Sequence, residues 1–155
     1  MKSLFYYETP IGRIGIAEES GAVTDLFFMT EAAPQNVELK ETALLKDVYG
    51  QLEEYFSKRR KTFDVPLKLV GTEFQKRDWQ ELLKIPYGET KSYGEIAKAL
   101  GIPKGARAVG LANNRNPISI IVPCHRVIGS DGKLVGYGGG LPIKEALLKL
   151  EQSQI

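Results

Sequence analysis

The N-terminal third of the chain shows the apolar and polar pattern of a small β-meander. Residues 4–8, 13–18 and 23–28 are short segments rich in β-branched and aromatic side chains, which are favoured in strands. Turn-like stretches at residues 9–12 and 19–21 separate them. The pattern therefore predicts three strands joined by short turns.

A helical pattern follows the meander. Residues 38–57 carry an apolar face with helical spacing, and the basic run at residues 58–61 suits the C-terminal end of a solvated helix better than a DNA contact. Residues 63–67 alternate like one further strand. The apolar face of the helix consists of Ala43, Leu44, Val48, Leu52, Tyr55 and Phe56.

The pattern changes at residues 70–71, where we place a boundary between an N-terminal domain, residues 1–69, and a C-terminal domain, residues 70–155. Helices dominate the second domain. Thr72 and Gln75 form the capping box of a helix that is predicted to extend to residue 85. Its buried stripe is predicted to consist of Trp79, Leu82 and Leu83, with Trp79 in the core rather than stacked on a ligand.

Two short helices come next. Ser92 and Glu95 form a second capping box, which predicts a helix over residues 93–100. Gly101 stands where a left-handed C-cap residue belongs, and a second helix is predicted over residues 106–113. This is the helix-turn-helix pattern, although plain helical hairpins share it.

The second of these helices has little side-chain bulk on part of its surface. Its one long cationic side chain is Arg107. Such a surface favours either tight packing against another helix or close approach to a nucleic-acid backbone, and the pattern leaves both open. The small residues are Ala106, Ala108, Gly110 and Ala112.

Composition narrows the class of protein. The chain has 155 residues, 43% hydrophobic and 26% charged, with a net charge of +2, which is too weakly basic for a protein that coats DNA by charge alone. One cysteine and one histidine exclude an intrachain disulfide and a usual four-ligand zinc site. The N-terminus lacks a signal-peptide pattern, and no apolar run approaches the ~20 residues of a membrane span. We expect a cytoplasmic protein that makes no membrane contact.

The candidate chemistry lies after an apolar run with strand character, residues 118–122. Pro123 has no amide hydrogen and should end regular pairing, and Cys124 and His125 follow directly. A lone buried cysteine is usually inert, but a histidine and a cation such as Arg126 can activate a thiol. Adjacent residues of an extended segment point apart, so His125 reaches the sulfur only through a sharp turn or a water. The acid that orients the imidazole cannot be identified from spacing.

These stretches together resemble the O6-alkylguanine-DNA alkyltransferase family, also called methylated-DNA–protein-cysteine methyltransferases. The resemblance covers residues 71–151, while the N-terminal third resembles the family only loosely. It implies an α+β fold in which a small ribonuclease-H-like support domain packs on a mainly helical domain with a helix-turn-helix. The segments that carry it are residues 121–127, 106–110, 116–117 and 136–141, followed by Lys144 and Glu145.

The resemblance also implies catalytic roles. Cys124 would be the nucleophile, His125 would take its proton through a water, and Glu151 would orient the histidine. Asn116 would brace the active-site turn and link it to the DNA-binding helices. Tyr93 would rotate the phosphate beside the lesion and donate to the departing base.

Contacts to DNA and to the lesion are implied in the same way. Arg107 would fill the gap left by the flipped base, while Ala106, Ala108 and Gly110 would allow close approach to the minor groove. Val127, Tyr137 and Gly138 would hold the guanine. Many relatives have a serine where Gly138 stands, so the hydroxyl contact of that serine is missing here.

The implied function is direct-reversal DNA repair by a monomer without a cofactor. A methyl or alkyl group would move irreversibly from O6 of a flipped guanine in double-stranded DNA to Cys124, with O4 of thymine left open as a second position. One alternative is an alkyltransferase-like protein that binds lesions without chemistry, but such proteins typically have tryptophan in place of the cysteine. Another is a Cys-His hydrolase unconnected with DNA, which has no evident use for the helix at residues 106–113.

Overall fold

The computed structural model describes residues 1–153; residues 154–155, the end of the predicted C-terminal domain, lie outside the described residues. Its main sheet has the strand order β3-β2-β1-β4, and β1, β2 and β3 form the predicted antiparallel meander. β4 runs parallel to β1 at the edge of the sheet. The strands are β1 (Lys2–Thr9), β2 (Gly12–Glu19), β3 (Ala22–Phe28) and β4 (Val37–Leu39).

Two predictions for the N-terminal third need correction. The helix expected over residues 38–57 is α1 (Ala43–Phe56), because Val37–Leu39 pairs with β1 and Thr42 caps the helix by accepting a hydrogen bond from the Leu45 amide. Residues 63–67 form no strand. Leu67, the last of these residues, makes a single parallel β-bridge to Val23 of β3.

Helices dominate the rest of the chain, as predicted, and the whole is an α+β fold. Both capping boxes are present, and Gly101 has the predicted left-handed backbone, with φ of +81°. Two short strands, β5 (Lys91–Ser92) and β6 (Val127–Ile128), pair in parallel. The helices are α2 (Glu73–Leu82), α3 (Tyr93–Ala99), α4 (Ala106–Asn114) and α5 (Leu141–Gln152).

Predictions for two segments of residues 70–155, the first helix and the apolar run at residues 118–122, were also wrong. α2 ends at Leu82 instead of residue 85, and Leu83, its C-cap residue, is 42% exposed instead of buried. The apolar run at residues 118–122 is buried, but it forms a compact turn instead of a strand. Ile120 has φ of +72°, a backbone conformation that is strained for a β-branched residue.

The larger of two hydrophobic clusters joins the sheet to the helices and fixes the helix-turn-helix, while a smaller one contains Leu4, Ala17 and Phe27. Trp79 of α2 is 1% exposed, as the core prediction required, and its indole donates to the carbonyl of Ala112 on α4 at 2.9 Å. The larger cluster contains Ile16 of the sheet together with Val109 of α4 and Leu147 of α5. Within residues 1–153, no helix is long and apolar enough to cross a membrane.

Candidate active site

The residues around the cysteine turn sharply. Pro123 is followed by a 3₁₀ turn, Cys124–Arg126, in which the Arg126 amide donates to the Pro123 carbonyl at 3.0 Å. This turn replaces the extended backbone that would have pointed Cys124 and His125 to opposite sides of a strand. A sharp turn, one of the two arrangements that the sequence left open, is therefore present.

Asn116 contacts the sulfur of Cys124 and the backbone that leads to it. Its Nδ2 donates to the sulfur of Cys124 at 3.3 Å and to the Val122 carbonyl at 2.8 Å, and its Oδ1 accepts from the Ile118 amide at 3.0 Å. One side chain thus ties together the two ends of the buried turn. The predicted bracing residue lies against the predicted nucleophile.

The thiol is buried and protonated at rest. Cys124 is 6% exposed, and burial raises the pKa of its thiol to about 11, although the hydrogen bond from Asn116 and the charge of Lys144 act to lower it. A thiolate is the reactive form of cysteine. The buried neutral thiol therefore needs a proton acceptor before it can react as a nucleophile.

Arg126 does not activate the thiol, contrary to the sequence-based suggestion. Its guanidinium makes a two-pronged contact with Glu151, with Nε to Oε1 at 2.8 Å and Nη2 to Oε2 at 3.1 Å. Its Nη1 donates to the carbonyl of Ile85 at 2.6 Å. The cation is committed to the carboxylate because a buried charge needs a partner.

His125 and Glu151 form a buried pair. Nε2 of the imidazole lies 2.6 Å from Oε2 of the carboxylate, and both side chains are fully buried. Because the carboxylate is ionised, Nε2 carries the proton and Nδ1 has a free lone pair. Nδ1 is buried and has no hydrogen-bond partner among residues 1–153.

The pKa values of this pair fit a proton acceptor. Burial lowers the pKa of His125, although Glu151 acts to raise it, so the imidazole is neutral near pH 7. Burial by itself would raise the pKa of Glu151, but hydrogen bonds from His125 and Arg126 outweigh it and lower the pKa to about 2. Together the buried side chains of Arg126, Glu151 and neutral His125 have no net charge. If His125 takes up a proton, the carboxylate of Glu151 can stabilise the imidazolium.

A second polar cluster surrounds Tyr93 at the start of α3. The Tyr93 hydroxyl donates to the Val135 carbonyl at 2.7 Å, and the ammonium of Lys144 lies 3.2 Å from that hydroxyl. Lys144 also donates to the carbonyls of Val135 and Gly136 at 2.9 and 3.3 Å. Burial lowers the pKa of Lys144 to about 8 and raises that of Tyr93 to about 12.

The helix-turn-helix presents an open surface on α4. Arg107 and Ala108 are exposed, while Ala106 and Gly110 are partly buried. A cleft of about 380 Å³ lies on this surface, and Cys124 is not among its lining residues. Its lining consists of Tyr93, Ala106, Arg107, Gly110, Leu111, Asn114, Val135 and Gly136.

The predicted guanine-binding residues lie in β6 and in the loop that precedes α5. Val127 is buried in β6, and the buried hydroxyl of Tyr137 has no hydrogen-bond partner within the described residues. Gly138 faces the N-terminal domain. A Cβ atom there would overlap a carboxylate oxygen of Glu31 and lie 3.1 Å from its Cδ, so Glu31 fills the space that a serine side chain would need.

Sequence reasoning missed three residues at this site. Glu31 and Tyr55 belong to the N-terminal domain, in which the sequence analysis named no site residue, and only the fold brings them to the site. Lys144 was quoted in the resemblance without a role, although a lysine among apolar residues of a helix is a signal of a buried cation. Helix α5, which carries Glu151, was not predicted either.

Two protein-family models match almost the whole length of the chain. Residues 5–69 match the family model for the ribonuclease-like domain of 6-O-methylguanine DNA methyltransferase, and residues 73–153 match the model for its DNA binding domain. These two ranges adjoin the boundary that the sequence suggested at residues 70–71.

Individual relatives are similar over nearly their full length. The methylated-DNA–protein-cysteine methyltransferase of Methanosarcina acetivorans is 55% identical, with 95% of this chain and 96% of the relative covered. That of Mycobacterium leprae is 51% identical, with 96% and 91% covered. The crystal structure of Mycobacterium tuberculosis OGT in complex with DNA superimposes with a TM-score of 0.93 at 49% identity, covering 97% of this chain and 92% of that one.

Proposed function

The chain belongs to the 6-O-methylguanine DNA methyltransferase family, and we propose that Cys124 is the residue that accepts the alkyl group from O6 of guanine. The protein is a methylated-DNA–protein-cysteine methyltransferase, and it acts in direct-reversal DNA repair. The observation that carries the assignment of Cys124 is its position. Its sulfur is held by Asn116, and the next residue, His125, is paired with Glu151.

In the proposed reaction, the sulfur of Cys124 attacks the alkyl carbon while the bond from that carbon to O6 breaks. The electron pair of that bond stays with guanine. The thiol proton goes to Nδ1 of His125, directly or through a water, and Glu151 stabilises the resulting imidazolium across the 2.6 Å contact. Coupling proton removal to attack suits a thiol whose pKa burial raises to about 11.

The departing guanine needs hydrogen-bond donors to offset its developing negative charge. We assign that role to the Tyr93 hydroxyl and to the backbone amide of Gly138, and we assign Val127 and Tyr137 to the walls of the lesion pocket. In the free protein, Tyr93 donates to the carbonyl of Val135 instead. Binding of the flipped base therefore exchanges this contact for one to the lesion.

Helix α4 is proposed to dock against the DNA. Its small residues would allow a close approach, and we assign to Arg107, which is exposed and lines the cleft, the role of filling the gap that the flipped base leaves. The weak net charge of +2 means that local geometry, more than bulk charge, sets this contact.

The product is a thioether, which has no good leaving group. We therefore propose that the protein acts once, as a monomer without a cofactor, with residues 1–69 as the support domain and residues 70–155 as the reactive domain. The reaction needs Cys124 as a free thiol, which favours the reducing cytoplasm as its location.

The two other candidate functions lack support. A non-catalytic lesion-binding protein has no need for a thiol held by Asn116 beside a buried His125–Glu151 pair. A hydrolase unconnected with DNA does not explain the exposed small residues and Arg107 on α4.

The test is incubation with duplex DNA that carries O6-methylguanine, followed by mass mapping of the peptides. We expect one methyl group on the peptide that contains Cys124, at most one per protein, and none in Cys124→Ala. Repeated turnover, or methyl transfer to another residue, contradicts the proposal.

A further inference from the structure

A tyrosine from the N-terminal domain reaches the carboxylate of the reactive domain. The Tyr55 hydroxyl lies 2.5 Å from Oε2 of Glu151, although 96 positions separate the two residues in the sequence. Tyr55 is on α1 and has 0% exposure. Burial and then the charge of Glu151 raise the pKa of its phenol, so the hydroxyl stays protonated and donates.

The oxygen that Tyr55 binds is the one that faces His125. Oε2 of Glu151 lies 2.5 Å from the Tyr55 hydroxyl, 2.6 Å from Nε2 of His125 and 3.1 Å from Nη2 of Arg126. A change at Tyr55 therefore alters both the position of this oxygen and the share of negative charge that it offers to the imidazole.

Aromatic packing fixes the Tyr55 ring. Phe56, Phe63 and Tyr87 lie with ring centroids 5.3, 5.4 and 6.0 Å from it. The hydroxyl consequently has one direction, toward the carboxylate. A side chain held in this way can position a partner, whereas a mobile surface tyrosine could not.

We propose that Tyr55 is a positioning residue for alkyl transfer: it holds Glu151 in register with His125 and tunes how strongly the pair takes up the thiol proton. The inference rests on the proposed function. It gives the N-terminal domain a part in the chemistry, because Tyr55 is that domain's direct contact with the carboxylate.

The effect of Tyr55→Phe on the imidazole has a definite sign. The loss of one donor leaves more negative charge on Oε2, which stabilises the imidazolium and raises the pKa of His125. The other charged and titratable groups that act on this imidazole, Arg126 and Lys144 together with Glu151 itself, are unchanged. The variant should therefore have less neutral His125 on the acid side of the pH profile.

The test compares Tyr55→Phe with Tyr49→Phe. Tyr49 is on the same helix, but its hydroxyl donates to the carbonyl of Glu8, away from the site. Single-turnover transfer from saturating O6-methylguanine duplex is measured from pH 5.5 to 8.5. We expect the acid limb of the Tyr55→Phe profile to lie at higher pH than that of the wild type, so that the variant is slower by about three- to tenfold at a pH on that limb, since one pKa unit is tenfold there. At pH 8.5 the two rates should agree within about twofold. Tyr49→Phe should match the wild type throughout.

Nuclear magnetic resonance gives a second readout, because His125 is the only histidine in the chain. Its pKa should rise in Tyr55→Phe.

Should that variant not fold, replacement of the 7 tyrosines by 3-fluorotyrosine, a more acidic phenol and a stronger donor, should lower the His125 pKa. A rate loss equal at every pH, or an unchanged His125 pKa, overturns the inference. Absence of transfer by the wild type overturns the proposed function instead.

Discussion

Glu151 lies 2.6 Å from Nε2 of His125 although 26 positions separate them in the sequence. The contact joins the last turn of α5 to the 3₁₀ turn that carries Cys124. Arg126 closes the same link through a second carboxylate oxygen. The chemistry of the site thus depends on the docking of the C-terminal helix.

The first prediction concerns acid stability. The pKa of Glu151 is lowered from 4.5 to about 2 in the folded protein, so the unfolded chain binds the proton first as the pH falls. The stabilisation is complete above about pH 4.5 and is lost as the pH falls toward 2. By linkage it amounts to about 3 kcal/mol at most. Urea unfolding at pH 7, 4.5 and 3 measures it.

Glu151→Gln is the matched variant for this prediction. It keeps the side-chain shape, leaves Arg126 without its buried counter-charge, and should lower the free energy of unfolding at pH 7 by about 3 kcal/mol. Its stability should also fall less steeply than that of the wild type between pH 4.5 and 3. Equal slopes in the two proteins would assign the acid sensitivity to other carboxylates.

Local sequence patterns predicted the elements that rest on local interactions. The capping boxes at Thr72 and Ser92 and the left-handed Gly101 appear as predicted, because each depends on residues within one helical turn. Tertiary contacts overrode propensity elsewhere. The apolar run at residues 118–122 became a turn because Asn116 binds the backbone at both of its ends.

The active site could be predicted only in part from the sequence, for the same reason. Cys124 and His125 are adjacent in sequence, and Pro123 predicted the end of regular pairing before them but left the turn itself open. The contacts of Tyr55 and Glu31 cross from one domain to the other, and no spacing rule connects residues so far apart. Arg126 was misassigned because the sequence shows its distance from Cys124 but not its partner, Glu151.

A second prediction concerns the brace of the active-site turn. Asn116→Ala removes the donor to the Cys124 sulfur and leaves the Ile118 amide and the Val122 carbonyl without their side-chain partner. We expect a loss of about 2–3 kcal/mol in unfolding free energy, together with a higher thiol pKa. The pH dependence of Cys124 alkylation by iodoacetamide measures the latter, and a thiol pKa equal to that of the wild type would contradict the assigned role.

A third prediction concerns Gly138, the position at which many relatives have a serine. Gly138→Ser places a side chain against the carboxylate of Glu31, whose other oxygen is held by the Phe28 amide at 3.0 Å. We expect slower transfer, by about three- to tenfold, because the loop or Glu31 must shift. Adding Glu31→Ala should recover most of the rate. A double-mutant cycle with strictly additive effects would show that the two positions do not share this space.

The last prediction separates base flipping from chemistry. Arg107 is exposed on α4, at the cleft and away from the buried His125–Glu151 pair. Arg107→Ala should therefore slow repair of O6-methylguanine in duplex DNA by about tenfold or more, because the extruded state loses the side chain that fills the gap. Transfer from the free O6-alkylguanine base, which needs no flipping, should stay within about twofold of the wild type. Arg115→Ala, which removes an equal charge from the exposed C-terminal cap of the same helix, controls for general electrostatic attraction and should weaken duplex repair less. Equal losses on duplex and free base would remove Arg107 from the flipping step, since the free base needs neither docking of the duplex nor extrusion from the stack.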